Sequence, residues 1–399
     1  MKKRSALRLV SEQLPLGEVA QLRSGKTPTR TVDSYWGGVI PWYSAKDLKS
    51  FRLTNSEEHI SDEAVRSGAP LGDVGDLLVL VRGMTLLKDV PVCLLEKRGS
   101  FNQDLKLIKP KAKVLGEYLG YVLAASKPRL MSMVTVAGHG TGRLEIDQLK
   151  QVLVWVPKED VQRYLVEQLG AFEKVLQLQK QLMEAKREYK RGLAHVLLTG
   201  KKRFPEFRGT AWIETHLGDA FEERSDVGCS DLPLLSITND RGIIPRHELE
   251  KRDTSNPDKS KYKRVAVGDI AYNTMRMWQG VSALSTLEGI VSPAYTVAVP
   301  TDRIDGAFAK HLFKFAPVVH KFHRYSQGLV DDTLNLKFDR FAKIRVRIPS
   351  DAKEQKMIAA TLDLCDAELS LLTKKRKQFE LCKRALLSRL LSGEISVVP

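Results

Sequence analysis

The 399-residue chain has four cysteines, Cys93, Cys229, Cys365 and Cys382, widely spaced and with no C-x-x-C pair. That spacing argues against a disulfide scaffold and a zinc ribbon, and makes a reducing cytoplasm the default compartment. No stretch approaches the ~20 apolar residues of a membrane-spanning helix. The basic start, Met1-Lys2-Lys3-Arg4, is not followed by the apolar run of a secretory leader. The eight histidines form no H-E-x-x-H or metal-spaced cluster, and there is neither an Asn-Pro-Pro-Tyr-like tetrapeptide nor a Gly-rich S-adenosylmethionine loop. Ser24-Gly25-Lys26-Thr27 mimics the end of a phosphate-binding loop. However, Ala20 stands where the first glycine belongs, Pro28 follows at once, and no helix pattern comes next. Gly138-His139-Gly140-Thr141-Gly142 lacks G-x-G-x-x-G spacing and precedes a short strand pattern from Leu144 to Val156. It reads as a loop. Glu184-Ala185-Lys186 and Glu188-Tyr189-Lys190 lie on a helix, where carboxylates do not converge on a metal as a nuclease requires. These absences leave no catalytic residue and no metal site to nominate.

What the chain does have is positive charge. Lys and Arg number 64 against 48 Asp and Glu, a net +16. The excess points to a polyanion: DNA, RNA or an anionic membrane. It is spread over segments that read as folded, with net +7 in residues 1–157, +5 in 158–203, +2 in 204–349 and +2 in 350–399. Apolar residues, at 43%, suffice for the cores of two or three domains.

The chain repeats itself. Val74-Gly75-Asp76-Leu77-Leu78 returns 193 residues later as Val267-Gly268-Asp269-Ile270-Ala271. Leu153-Val154-Trp155-Val156-Pro157 returns after 192 as Arg345-Val346-Arg347-Ile348-Pro349, and Lys190-Arg191-Gly192-Leu193 after 193 as Lys383-Arg384-Ala385-Leu386. Leu16-Gly17-Glu18 returns after 201 as Leu217-Gly218-Asp219, so the early loops differ in length. A near-constant offset in constant order implies two copies of one domain. Each copy opens with strand-like runs and turns, Leu77 to Val81 being a buried-strand candidate and Lys113 to Leu130 a helix. Each closes with a stretch poor in Gly and Pro, from about Glu159 to Thr199 and from Ala352 to Ser392. Helices of ~40 residues span roughly 60 Å and need a partner along their length.

Alternating spacings of four and three mark that partnership. Ile358, Leu362, Cys365, Leu369, Leu372, Arg376, Phe379, Lys383, Leu386 and Leu390 form a heptad seam. Its counterpart is Leu165, Leu169, Phe172, Leu176, Gln179, Met183, Lys186, Lys190, Leu193 and Leu197. An alternative stripe lies one position away, through Val175, Leu178, Leu182, Ala185 and Tyr189. Matched length and register favour pairing of the two helices over each packing only on its own domain. The chain order of domain, helix, domain, helix makes that pairing antiparallel. The expectation is an α/β fold of two similar domains, 1–157 and 204–349, with spacer helices in 158–203 and 350–399 and pseudo-two-fold symmetry. Two unlike heads on a rigid spacer suit a duplex with a split, asymmetric site.

This layout resembles the specificity subunit of type I restriction-modification systems over essentially the whole chain. Ile348-Pro349-Ser350-Asp351-Ala352-Lys353-Glu354-Gln355-Lys356-Met357-Ile358-Ala359 resembles the family's entry into its distal conserved helix. Leu197-Leu198-Thr199-Gly200-Lys201 and Leu390-Leu391-Ser392-Gly393 resemble the ends of its two conserved helices. Trp278-Gln279-Gly280 with Gly289-Ile290-Val291-Ser292-Pro293-Ala294-Tyr295 resembles one class of its target-recognition domains. The first copy departs from the pattern: Lys158-Glu159-Asp160-Val161-Gln162 follows Pro157 without the Glu-Gln of the second. The resemblance implies that each head is a target-recognition domain and that the chain itself is non-catalytic. It implies two modification subunits, carrying S-adenosylmethionine and methylating adenine at N6. It also implies restriction subunits that use ATP and Mg2+ to translocate and cut double-stranded DNA.

Polar, basic or aromatic groups beside turns are the candidates for reading DNA. In the first head these are Lys46, Arg82, Lys88, His139, Thr141 and Arg143. In the second they are Asn273, Arg276, Trp278 and Gln279, at the place matching Arg82-Gly83 and beyond, and Tyr325, Ser326 and Gln327, at the place matching Gly138 to Arg143. Arg82 and Arg276 lead because matched loops carry both. Two other readings stay open: a divergent methyltransferase or nuclease with its own site, and a coiled-coil adaptor without sequence preference.

Overall fold

A computed structural model describes residues 12–136, 140–238, 241–249, 255–330 and 333–392; the side chains of Leu390, Leu391 and Ser392 lie outside the described set. Contacts divide the chain into two compact units, residues 1–179 with 374–399, and residues 180–373. Each unit holds one head, one half of the central helix (Glu159–Leu198) and one half of the distal helix (Ala352–Ser392). Among the described residues no helix is long and apolar enough to cross a membrane.

The first head is built on the strand Leu77–Leu80, whose four apolar residues are all buried. It lies mid-sheet, antiparallel to Leu105–Pro110 on one side and Val92–Leu95 on the other, with Ala20–Ser24 and Arg52–Leu53 at the edges. In the second head Ile270–Asn273 sits between Tyr295–Pro300 and Ser282–Leu284, with Phe221–Glu223 outside. The repeated Val-Gly-Asp motif makes the turn that feeds each of these strands. Gly75 and Gly268 take φ of 91° and 95°, a left-handed conformation that glycine adopts without a Cβ clash. Asp76 and Asp269 then close the turn, each accepting a hydrogen bond from the backbone N–H three residues earlier.

Two segments differ from the sequence reading. Lys113 to Leu130 carries two short helices, Gly116–Ala125 and Lys127–Ser132, which meet at Ser126. Leu144 to Val156 is interrupted by the helix Ile146–Lys150, so only Leu153–Val156 is the strand that leads into the central helix. That strand pairs with Glu12–Pro15, as Arg345–Pro349 pairs with Trp212–His216 in the second unit.

A buried glutamine fastens each long helix to its head. Gln162 is wholly buried; its Nε2 donates to the carbonyls of Pro157 and Lys113, and its Oε1 accepts the N–H of Leu115, at 2.8, 2.9 and 2.9 Å. Gln355 does the same, donating to Pro349 and Arg303 and accepting from Asp305, at 2.9, 3.0 and 2.7 Å. The first copy therefore keeps the glutamine, and only the glutamate of the second is missing. Val161 is buried where Glu354 stands, and Glu354 pairs with Arg203 at 2.6 Å.

Below the glutamines the helices do two jobs at once. Leu165 and Leu169 join the core of the first head, with Leu386 and Leu387 of the distal helix packed against it. Ile358 and Leu362 join the core of the second, with Leu193 and Ala194 packed against it. In the second unit Lys186 pairs with Glu368 and Lys190 with Asp366, at 2.8 and 2.5 Å, so the two helices run antiparallel there. In the first unit Phe172 meets Phe379 edge-on and Glu173 pairs with Lys383 at 2.8 Å. Every described seam position is buried or half-buried. The alternative stripe is overturned: Leu178, Leu182 and Tyr189 are 54%, 44% and 62% exposed.

The two interhelical pairs are copies of one device, with the helices exchanging roles. Glu173 and Asp366 sit 193 residues apart, as do Lys190 and Lys383. The heads add matching groups. Tyr121 donates its hydroxyl to Glu173 at 3.0 Å, and Arg52 also reaches that carboxylate. In the second unit His311 meets Asp363 at 2.7 Å and lies 4.0 Å from Asp366, while Lys310 pairs with Asp363. Burial holds the His311 imidazole below its usual value of 6.5, with the Lys310 and Lys190 charges adding to the effect against Asp363. Burial would raise the Asp363 carboxyl, but hydrogen bonds from Lys310 and His311 outweigh it and hold the carboxyl low.

Replacing Gln162 by Leu keeps the volume but strands one N–H and two carbonyls. At about 1–3 kcal/mol per stranded buried group, Gln162→Leu is expected to lower the unfolding free energy by about 3 kcal/mol in denaturant titration, and Gln355→Leu by a similar amount. A second expectation concerns pH. Below about 6.5 the unfolded chain binds a proton that folded His311 resists, so stability present above that pH declines as pH falls. In unfolding titrations stepped downward from neutrality, His311→Tyr, which installs the first copy's residue, is expected to flatten that decline.

Candidate nucleic-acid interface

In the first head the fold brings together residues far apart in the chain. Arg82–Gly83, Gly142–Leu144 and Val134–Val136 form a three-stranded antiparallel sheet. Arg143 lies opposite Arg82 on one side and opposite Thr135 on the other, and all three are exposed. The result is a row of one hydroxyl and two guanidinium groups across three strands. Among the described residues Arg82 and Lys88 make no ion pair, while Arg143 is held by Glu145 at 2.9 Å. A one-turn helix, Met84–Leu87, follows Arg82 and leaves Met84 61% exposed beside the row. Val136 is exposed at the end of its strand, and Thr141 is half-buried. His139 lies outside the described residues. Lys46 stands apart from this sheet on the turn Ala45–Asp47, where Glu57 and Glu58 take its charge at 3.2 and 3.4 Å. The hydrogen bond from Lys46 pulls the Glu57 carboxyl below its usual range.

The second head builds the matching region differently. Its one-turn helix Met277–Gln279 starts 193 residues after Met84, so in register Arg82 faces Met275 and Arg276 faces Gly83. The two arginines are thus neighbours in register and not equivalents. Arg276 is exposed at the start of the turn. Asn273 ends its strand, and its Oδ1 accepts the N–H of Met275 at 3.0 Å. Trp278 is half-buried; its Nε1 donates to the Met275 carbonyl at 3.1 Å and its ring meets His323 edge-on at 5.8 Å. That contact brings Gln279 toward the end of the helix Ala316–Tyr325, where Tyr325 is exposed. Ser326 turns its hydroxyl back to the Phe322 carbonyl. Gln327 exchanges backbone hydrogen bonds with Asn335, both 2.8 Å, and closes the following loop. Leu336 N–H in turn bonds the Thr274 carbonyl, tying that loop to the start of the turn.

Three exposed neighbours of these groups escaped the sequence reading: Thr135 in the first head, Met275 and His323 in the second. Nothing local marks them; they follow from strand pairing and helix packing. The residues that mimic a phosphate-binding loop serve structure. Ser24 ends a strand, the Lys26 N–H bonds the Phe101 carbonyl, and the Lys26 carbonyl accepts the Trp42 indole N–H. His311, Asp363 and Asp366 come close enough to hold a cation. Lys310 and Lys190 already supply positive charge to both carboxylates, which fits an ion-pair node and not a metal centre.

The description "Type I restriction modification DNA specificity domain" belongs to a family whose model matches residues 11–185. The chain is 28% identical over 160 residues to the type I restriction enzyme EcoR124I/EcoR124II specificity subunit of Escherichia coli, a match covering 40% of each. It is 29% identical over 177 residues to the MjaIX specificity subunit of Methanocaldococcus jannaschii, covering 42% of this chain and 38% of that one. The matches thus span about two fifths of the length of these curated relatives. In fold it is similar to the crystal structure of a type I restriction-modification S subunit from M. genitalium, at a TM-score of 0.58 and 13% identity, over 98% of both chains.

Proposed function

We propose that the chain belongs to the type I restriction-modification specificity family, whose model matches residues 11–185, and that it is the sequence-reading subunit of such a complex. Each head reads one half of a split, asymmetric site in double-stranded DNA. The observation that carries this reading is the exposed row Arg82, Arg143 and Thr135, matched in the second head by the polar rim of Arg276, Gln279, Tyr325 and Gln327. Guanidinium groups on a short rigid sheet suit bidentate pairing with guanine, and Gln suits adenine. Lys88 beside the row suits a phosphate. The two copies differ at every one of these positions, so the two half-sites differ as well.

In this reading the chain does no chemistry of its own. Two modification subunits dock around the paired helices, bind S-adenosylmethionine and methylate adenine at N6. Restriction subunits bring ATP and Mg2+ for translocation and cleavage. Such a complex works in the cytoplasm, where host DNA is protected and foreign DNA is cut.

The test is selection from a randomised duplex pool by the chain assembled with its modification subunits. A two-part motif with a fixed gap is the expected product. Arg82→Ala is expected to relax one half by about 1–3 kcal/mol per lost base contact and to leave the other half and the assembly unchanged. Enrichment of no motif, or equal loss from both halves, would overturn the assignment.

A further inference from the structure

In the first head the exposed row has an apolar companion. Arg82, Arg143 and Thr135 lie opposite one another, so their side chains leave one face of the three-stranded sheet. Gly83, Gly142 and Val136 form the next rung, at the tip of the sheet, and face the other way. The turn Met84–Leu87 packs on that second face: a Cβ on Gly142 would lie 2.6 Å from the Leu86 Cβ, and Leu86 is wholly buried. The same turn lies against the strand that carries Val136. With Leu86 fixed inward, Met84 and Leu87 are left 61% and 39% exposed, and Val136 is 65% exposed. The second copy shows that this exposure is not inherent in the turn. Its one-turn helix also starts with a methionine, Met277, which is wholly buried in the core of its head.

The surroundings of this apolar patch are cationic. Arg82 and Lys88 flank the turn in sequence, both exposed and without an ion pair among the described residues. The carboxylates closest in sequence, Asp89 and Glu145, are taken by Lys127 and Arg143. Residues 1–157 as a whole carry net +7. Such a patch suits a target that is anionic outside and apolar at one point within. Duplex DNA has that character. Phosphates border the groove, guanine offers acceptors to Arg, and the apolar group that a base edge shows in the major groove is the thymine C5 methyl. The groove admits a β-ribbon, and a ribbon tip inside it presents both of its faces to base edges.

We propose that Met84 and Val136 together hold the methyl group of a thymine in the half-site read by the first head, while Arg82 and Arg143 work from the opposite face of the same sheet tip. The inference rests on the reading of this chain as a sequence-reading subunit and adds a base to what that head selects. An unbranched, polarizable thioether suits the task, because it can follow a methyl group without being confined to one rotamer. Neither residue has a side-chain donor, and a thioether accepts a hydrogen bond only weakly. The pair therefore selects the methyl itself and not the donor and acceptor pattern of the base.

Deoxyuridine tests the contact, because it differs from thymidine by that methyl alone. The full-length chain is assembled with its modification subunits, and each thymine of the selected split motif is replaced in turn. At least one replacement is expected to weaken binding about fourfold, as loss of one buried methyl-sized group does. The same replacement is expected to leave binding by the Met84→Ala complex unchanged. Val136→Thr, of the same shape but polar, is expected to reduce the uridine effect and serves if Met84→Ala fails to fold. A motif in which no thymine shows a uridine effect overturns the contact and leaves the sequence-reading role standing. An undiminished uridine effect in both variants overturns the assignment to Met84 and Val136. Binding weakened by Met84→Ala equally for thymine and uridine overturns the methyl. Failure of both folded variants to assemble with the modification subunits makes the patch a protein contact and overturns the proposal. Enrichment of no motif at all overturns the sequence-reading role, and this inference with it.

Discussion

Two side-chain amides hold the architecture to its plan. Gln162 and Gln355 each satisfy three backbone groups where the head meets the first turn of a long helix. The bonds to Pro157 and Pro349 are buried and the other four partly so, and a buried unpaired amide or carbonyl is costly. An apolar side chain could fill the same volume, but it could not fix the angle at which the helix leaves. The amide, with two donors and an acceptor set in one plane, fixes both place and direction. Everything further along the helix, from the leucines in the head's core to the interhelical ion pairs, inherits its register from that first turn.

On this shared frame the two heads have drifted apart. The frame keeps the glutamine, the acid–lysine pair and the leucines at one spacing. The heads change what they display: a three-stranded row of exposed groups in one, a loop closed by Gln327 and Asn335 in the other. The ion-pair node shows the boundary between the two regimes. Its helix residues, Glu173 with Lys383 and Asp366 with Lys190, are conserved in kind, while the head contributes Tyr121 in one copy and His311 in the other. That single exchange gives one node a titratable imidazole, which burial holds below its usual value, and the small residue at 194 nearby leaves space beside it.

Much of this was legible in the sequence because it is periodic. The heptad seam and the repeat offsets depend only on spacing, and the described seam residues are the ones the helices bury. Even so, the weak middle of the seam tempted a shift to Leu178, Leu182 and Tyr189, because polar Gln179, Lys186 and Lys190 do not look like seam residues. They are half-buried all the same, since Lys186 and Lys190 extend to carboxylates on the facing helix. Val161 hides Gln162 by breaking the Glu-Gln pair, although the distance from Gln162 to Gln355 is the repeat itself. The opposition of Arg82, Arg143 and Thr135 was beyond reach: strand pairing across some sixty residues is set by tertiary packing, and nothing local announces it.

The interhelical pairs also bear on how such a chain can change over generations. Glu173 and Lys383 touch although 210 residues separate them, and each belongs to a different repeat. A substitution at Lys383 acts on a carboxylate of the other copy, which Arg52 and Tyr121 of that copy also hold. Each repeat's helix is thus fitted to the other's at this pair. Among the described residues, Arg82, Arg143 and Thr135 of the first head's display pair with nothing in the other copy, so they can change without upsetting it.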